Sequence, residues 1–144
     1  MPNDAASSNV ILIDTDVFSA LADNNPRRKK PDADVWRAML SGRYTAVSFQ
    51  TRAEVLCGIL ALGDRRAALI RQALDELPCA RVDFHVIDVF AKLTSECKKT
   101  GHALGEKIHT GDRWIAATAI AYDLHLLSGD GIFSGAPDLK LLTA

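Results

Sequence analysis

The sequence has no basic excess: 17 lysines and arginines stand against 18 aspartates and glutamates, for a net charge of −1. That excludes a protein that coats nucleic acid by bulk electrostatics, which needs a strong positive balance, and leaves only local basic patches. Cysteine is scarce too. Cys57, Cys79 and Cys97 are odd in number and too far apart for a paired Cys-x-x-Cys zinc or redox motif. Structural thiols in a reducing cytoplasm are expected. No run approaches the ~18 to 20 apolar residues of a membrane span. The opening MPNDAASSN also lacks the basic segment and apolar stretch of a secretory signal, so a soluble, cytoplasmic protein is expected. Internal repeats are absent, as is any linker long enough to separate domains. A chain of 144 residues, 48% hydrophobic and 24% charged, is expected to form one globular domain over 1–144.

What is present is an alternation of strands and helices. The apolar run at 10–13 reads as a strand, followed by a helix over 15–22. Two prolines and four consecutive bases make 24–34 an exposed loop. Val35, Trp36, Met39 and Leu40 then recur at helical spacing until Gly42 stops them. A second strand is expected at 44–49, a helix at 51–62, and another from Asp64 to just before Pro78. Then follow a short strand at 81–84, an amphipathic helix over 86–99, and a glycine-containing loop at 100–111. An alanine-rich helix over 112–124, a strand at 124–127 and a last short strand at 139–142 complete the chain. Such alternation predicts an α/β fold, a three-layer α/β/α sandwich around a mainly parallel sheet.

In a sheet of that kind ligands bind beyond the carboxyl ends of the strands, and acids gather at those ends here. Asp14 closes the first strand, where it is equally placed to cap the next helix. Glu54 lies three residues after Thr51, a spacing that also makes a capping box. Asp112 opens the alanine-rich helix, where the helix dipole favours an acid and Thr110 is a candidate cap. Asp130 sits in the turn SGDG, which accepts an acid for backbone reasons alone. Each has a bland explanation taken singly. Together they put four carboxylates on one rim, and converging carboxylates need protons or hard cations such as magnesium or manganese to relieve their repulsion.

Read in order, ILIDTDVF, QTRAEVL and HTGDRWIAATAIAYDLHLLSGDGIF resemble the PIN-domain ribonucleases, and the compact length resembles the VapC-type toxins of bacterial toxin-antitoxin pairs. The resemblance covers nearly the whole chain. It implies that Asp14, Glu54, Asp112 and Asp130 form the catalytic and metal-binding quartet, with Thr15 and Ser128 as supporting polar residues. Asp16 stands where the family often has Asn or Ser, which leaves it between an extra ligand and a supporting partner. The implied activity is endonucleolytic cleavage of RNA, dependent on Mg2+ or Mn2+, leaving a 3′ hydroxyl and a 5′ phosphate. One or two ions, a pair lying ~3.5 to 4 Å apart, would activate a water and stabilise the phosphate. The implied partners are a small cognate antitoxin and a second copy of the chain in a homodimer.

Phosphate contacts are expected first from Arg113, beside Asp112, and from the run Arg27, Arg28, Lys29 and Lys30. Arg65, Arg66, Lys98, Lys99 and Lys107 read as solvated charges. Trp36, Phe49 and Trp114 read as core or interface, His85 and His125 as packed, and His102 and His109 receive no role. Two rival readings remain. ILIDTDVF also resembles the opening Asp-x-Asp of haloacid-dehalogenase-type phosphatases, with Asp14 as nucleophile and Asp16 as general acid, although Glu54 would then be idle. The other is a catalytically silent module that binds RNA or an antitoxin, at odds with a complete set of acids.

Overall fold

The computed structural model describes residues 9–23 and 25–144. The opening stretch, where no secretory signal is expected, lies almost wholly outside the described residues, as does Asn24 of the basic loop. Strands β1 (Val10–Ile13), β2 (Tyr44–Ser48), β3 (Cys79–Ala80) and β4 (His125–Leu127) pair in parallel throughout, in the order β3-β2-β1-β4. Central β1 aligns Leu12 with Ala46 of β2 and with Leu126 of β4.

Alternation along β1 divides the core. Leu12 packs with Leu93 and Cys97 of α5 (Phe84–Thr100) and with Ile115, Ala116 and Ala119 of α6 (Thr110–Ala121). Ile11 and Ile13 face the other way. They join Val17 and Phe18 of α1 (Thr15–Ala22), Trp36 of α2 (Ala33–Leu40), Val55 of α3 (Phe49–Ile59) and Leu74 of α4 (Asp64–Asp75). The sheet is thus sandwiched between helical layers, and full burial of each such Leu or Ile contributes about 1.5 to 3 kcal/mol. The alanines of α6 are small enough to bring that helix close to the sheet, which holds its first turn near the strand ends.

Several boundaries differ from expectation. The third strand lies at Cys79–Ala80, not 81–84, because Asp83 accepts a 2.8 Å bond from Val86 N and starts α5 at Phe84. Helix α3 begins at Phe49, where Ser48 Oγ accepts from Thr51 N at 3.0 Å. Thr51 is therefore not the cap, the Thr51–Glu54 capping box does not form, and Glu54 sits in the second turn. The segment 100–111 contains the 3-10 turns Ala103–Gly105 and Lys107–His109, and α6 takes up Thr110 and Gly111. The last strand reduces to a single parallel bridge between Leu126 and Leu141. His85, expected to pack, is exposed.

The chain builds the sheet outward from β1 through β2 to β3, then crosses under α5 and α6 to add β4 on the opposite side of β1. That reversal opens a crevice beyond the carboxyl ends of β1 and β4, the position where open α/β sheets bind ligands.

Candidate active site

Asp14 occupies the crevice. Its backbone N–H continues the ladder to Leu127 O at 2.9 Å, which fixes the residue between β1 and β4. The side chain caps α1 through Thr15 N at 2.7 Å, and its other oxygen accepts from Ser128 Oγ at 2.7 Å. Capping and site chemistry therefore coincide in one residue. The carboxyl is 6% exposed and has no cationic partner among the described residues. Burial pushes its pKa up from 3.8 to about 6, with the negative charges of Asp16 and Asp112 adding to the effect and the bonds from Ser128 and Thr15 opposing it.

Ser128 also accepts from Asp130 N at 3.0 Å, so one hydroxyl links the ends of β1 and β4. Asp130 uses Oδ1 to cap the 3-10 turn Gly131–Phe133 through Ile132 N at 2.9 Å. Glu54 reaches the same end of the sheet from α3, where Thr15 Oγ1 donates to its Oε2 and lies 3.0 Å from Thr51 Oγ1. Gly111, next to Asp112, packs against this side chain: an added Cβ would stand 2.9 Å from Gln50 Nε2 and 3.4 Å from Glu54 Oε1. A bulkier residue there would displace the Gln50 amide, the flexible end of its side chain, from beside Glu54.

Asp16 has a different task. Its Oδ1 accepts from Val17 N at 2.7 Å and its Oδ2 from Gly129 N at 2.9 Å, so it clamps the turn after β4 onto α1. Gly129 is required for the fit, since a Cβ would lie 2.8 Å from Asp16 Oδ2 and 2.9 Å from Trp36 Cζ2. With an amide on each oxygen, Asp16 is a poor match to the mobile general acid of the phosphatase reading.

The basic residues fall out differently from expectation. Arg113 is 6% exposed. Its Nη1 donates to Leu104 O at 2.8 Å and Glu106 O at 3.1 Å, and its guanidinium lies 4.9 Å from the Phe90 ring centroid. It braces the loop before α6, and its own burial keeps it from a phosphate. Arg28 pairs with Asp23 and Lys29 with Asp34, whereas Arg27 and Lys30 are exposed and have no ion pair among the described residues. Trp36 is core, and Trp114 stacks on Phe90 at 3.7 Å with Phe49 against its edge. Sequence reasoning missed His109, whose Nδ1 lies 3.0 Å from Asp112 Oδ2. Its spacing three residues before an acid at a helix start was the available signal.

Whether these residues suit a divalent ion turns on donor chemistry. A buried carboxyl beside two further acids, with no cation to balance it, favours a hard metal ion. Among the described residues no three acid, His or Cys side chains converge into a ready-made cage. Magnesium does not need one, since it keeps several waters and takes one or two carboxylates. The side chains therefore fit such an ion around Asp14 and Asp112. Ser128→Ala removes a donor that favours ionised Asp14, so the Asp14 pKa should rise further and the acid limb of any activity profile should move to higher pH, with an activity loss of roughly tenfold. A pH-rate series on both proteins checks this, and superimposable profiles would refute it.

The PIN-domain family model matches residues 11–139. "Ribonuclease VapC4" of Mycobacterium tuberculosis is 28% identical over 136 residues, covering 92% of this chain and 95% of that protein. The crystal structure of VapBC2 from Rickettsia felis bound to a DNA fragment from their promoter shares the fold with a TM-score of 0.73. It is 18% identical and the match covers 92% of this chain and 96% of that one. FitAcB from Neisseria gonorrhoeae gives 0.70 at 22% identity, with 92% and 96% covered. Among the described residues, no helix is long and apolar enough to cross a membrane. The family match begins inside β1 and runs past β4, so every strand end that carries an acid lies within it: this chain belongs to the PIN-domain family.

Proposed function

We propose that this PIN-domain chain is an endoribonuclease, the toxin of a type II toxin-antitoxin pair, and that it cleaves RNA with the help of Mg2+ or Mn2+. The observation that carries the reading is Asp14, a buried carboxyl at the switch point of the sheet with Asp112 close enough to raise its pKa. Asp14 and Asp112 would be the ligands, with Asp130, whose backbone N–H is held by Ser128, as the further acid of the set. A bound divalent ion supplies an activated water and offsets charge on the scissile phosphate. Glu54, held by Thr15, orients that water and accepts its proton. Of the basic residues first expected at phosphates, Arg27 and Lys30 are exposed and without an ion pair among the described residues, and they would meet RNA phosphates. The products are a 3′ hydroxyl and a 5′ phosphate.

The partner is a small antitoxin, and the toxin acts in the cytoplasm as a homodimer over the whole of 1–144. Support for the partner comes from relatives solved as toxin-antitoxin complexes, including the one from Klebsiella pneumoniae. It comes also from the surface, where a groove of about 220 Å³ lined by Thr15, Ser19, Glu54, Ile59 and Arg66 leaves the acidic crevice. That groove shares Ala22, Asp23, Arg66 and Ile70 with a larger one of about 640 Å³. A peptide tail laid along it would end at the acids.

The reading is tested by stripping the purified protein with EDTA and assaying total cellular RNA. Cleavage should vanish and return with added Mg2+ or Mn2+, with 5′-phosphorylated ends mapping to defined sites. Cleavage that persists in EDTA would overturn the metal requirement, and absence of cleavage across total RNA with metal bound would favour the silent module.

A further inference from the structure

We propose that His109 sets the orientation of Asp112 for cation binding, an inference that rests on the metal-dependent function proposed for the site. Its Nδ1 lies 3.0 Å from Asp112 Oδ2, and both side chains are 28% exposed. With Asp112 as a carboxylate, Nδ1 carries the hydrogen and donates it, which fixes the tautomer and engages Oδ2. Oδ1 is then the oxygen left to face an ion.

His109 stands at the N-cap position of α6 yet makes no capping bond with its side chain. Histidine gains nothing from the dipole at that end of a helix, which favours negative groups. Backbone capping therefore does not account for the residue, whose one side-chain bond among the described residues is the i,i+3 contact to Asp112. His102 shows the contrast: its Nδ1 accepts from Leu104 N at 3.0 Å and its Nε2 lies 2.8 Å from Ser134 O, so both nitrogens serve the backbone. For His109 the only side-chain partner among the described residues is Asp112.

The ring is also held in place. His109 ends the 3-10 turn Lys107–His109, and its N–H donates to Glu106 O at 3.0 Å. Thr110 Oγ1 donates to Lys107 O at 2.6 Å, and Arg113 grips the carbonyls of Leu104 and Glu106. The loop thus presents the imidazole to the first turn of α6 as a fixed support. His109 is a positioning residue, since it acts on the ion through Asp112. Hydrogen-bonded supports of this kind typically change metal affinity by ~10- to 100-fold.

The test is calorimetric titration of Mn2+ into the full chain without RNA, for wild type, His109→Ala and His109→Asn. Asparagine can place an amide N–H near the position of Nδ1. Alanine should weaken Mn2+ binding ~10- to 100-fold and asparagine should recover most of the loss, with metal-free melting temperatures close to wild type. Equal affinity in the three proteins would overturn the proposal alone, as would an asparagine variant no better than alanine. A wild type that binds no Mn2+ would overturn both the metal reading and the proposal. Histidine 15N spectra of the metal-free wild type give an answer that needs no variant to fold: an Nδ1–H tautomer is expected at His109, and an Nε2–H tautomer contradicts the bond.

Discussion

Asp14→Asn should abolish RNA cleavage by at least ~10³-fold, equivalent to about 4 kcal/mol of lost transition-state stabilisation, and should also make the metal-free protein more stable at neutral pH. Both effects come from the burial of one carboxyl. Asparagine keeps an acceptor for Thr15 N and turns an amide donor toward Ser128 Oγ, so the joint between β1 and β4 survives. What disappears is the buried negative charge. The folded chain holds the Asp14 proton with a pKa of about 6, against 3.8 for an ordinary aspartate, so protonation favours the folded state. Above about pH 6 the carboxyl is ionised in both states and carries the whole penalty, on the order of 3 kcal/mol. The penalty lessens as pH falls from about 6 toward 3.8 and is gone below that.

Melting temperatures of wild type and Asp14→Asn should therefore be furthest apart above pH 7 and converge near pH 4. Added Mg2+ should raise the wild-type value and leave the variant's unchanged. In cells the variant should no longer hinder growth when expressed without its antitoxin. A variant as toxic as wild type would sink the nuclease account, and a stability gap that ignores pH would show that Asp14 does not bear a buried charge.

Arg113→Ala should destabilise the protein by roughly 3 kcal/mol. The change leaves the buried carbonyl of Leu104 without its donor, at about 1 to 3 kcal/mol, while Glu106 O keeps the His109 N–H, and it removes the guanidinium from the Phe90 face. For a domain of this size the melting temperature should fall by about 10 °C. Arg113→Lys should rescue little, because an ammonium cannot span two carbonyls while lying flat on a ring. The loop that supports His109 should loosen as well, so metal-saturated activity should drop in the fraction that stays folded. Urea denaturation gives the first quantity and assay below the melting point the second. A variant of native stability with reduced RNA affinity would restore Arg113 to the phosphate-binding surface.

The alternation of strand and helix segments was enough to set the fold class, since a parallel sheet buried on both faces writes short apolar runs such as VILI and LHLL between helices. The position of Asp14 was legible for the same reason: a polar residue directly after such a run must lie at a strand end. Packing of the alanine-rich helix likewise put Asp112 near Asp14, and the quartet stands as the proposed catalytic set. Element starts were less legible, because caps compete locally. Ser48 and Asp83 each won a helix N-terminus that neighbouring residues could have taken, which moved Glu54 to a second turn and shortened β3.

Only the tertiary structure decided what the charged groups near the acids do. Arg113 adjoins Asp112 in sequence, but successive helical residues point about 100° apart, so one faces the crevice and the other the interior. Asp16 was open in sequence between an extra ligand and a supporting partner, and folding brings Gly129 N to it across 113 residues. His109 showed in sequence only its i,i+3 spacing to Asp112, and the 3-10 turn that aims its ring is held by carbonyl contacts to Arg113. Sequence by itself determined which residues sit at the ends of strands, a matter of period and local order. The partners of each carboxyl, and so its pKa and its role, followed from contacts between segments distant in the chain.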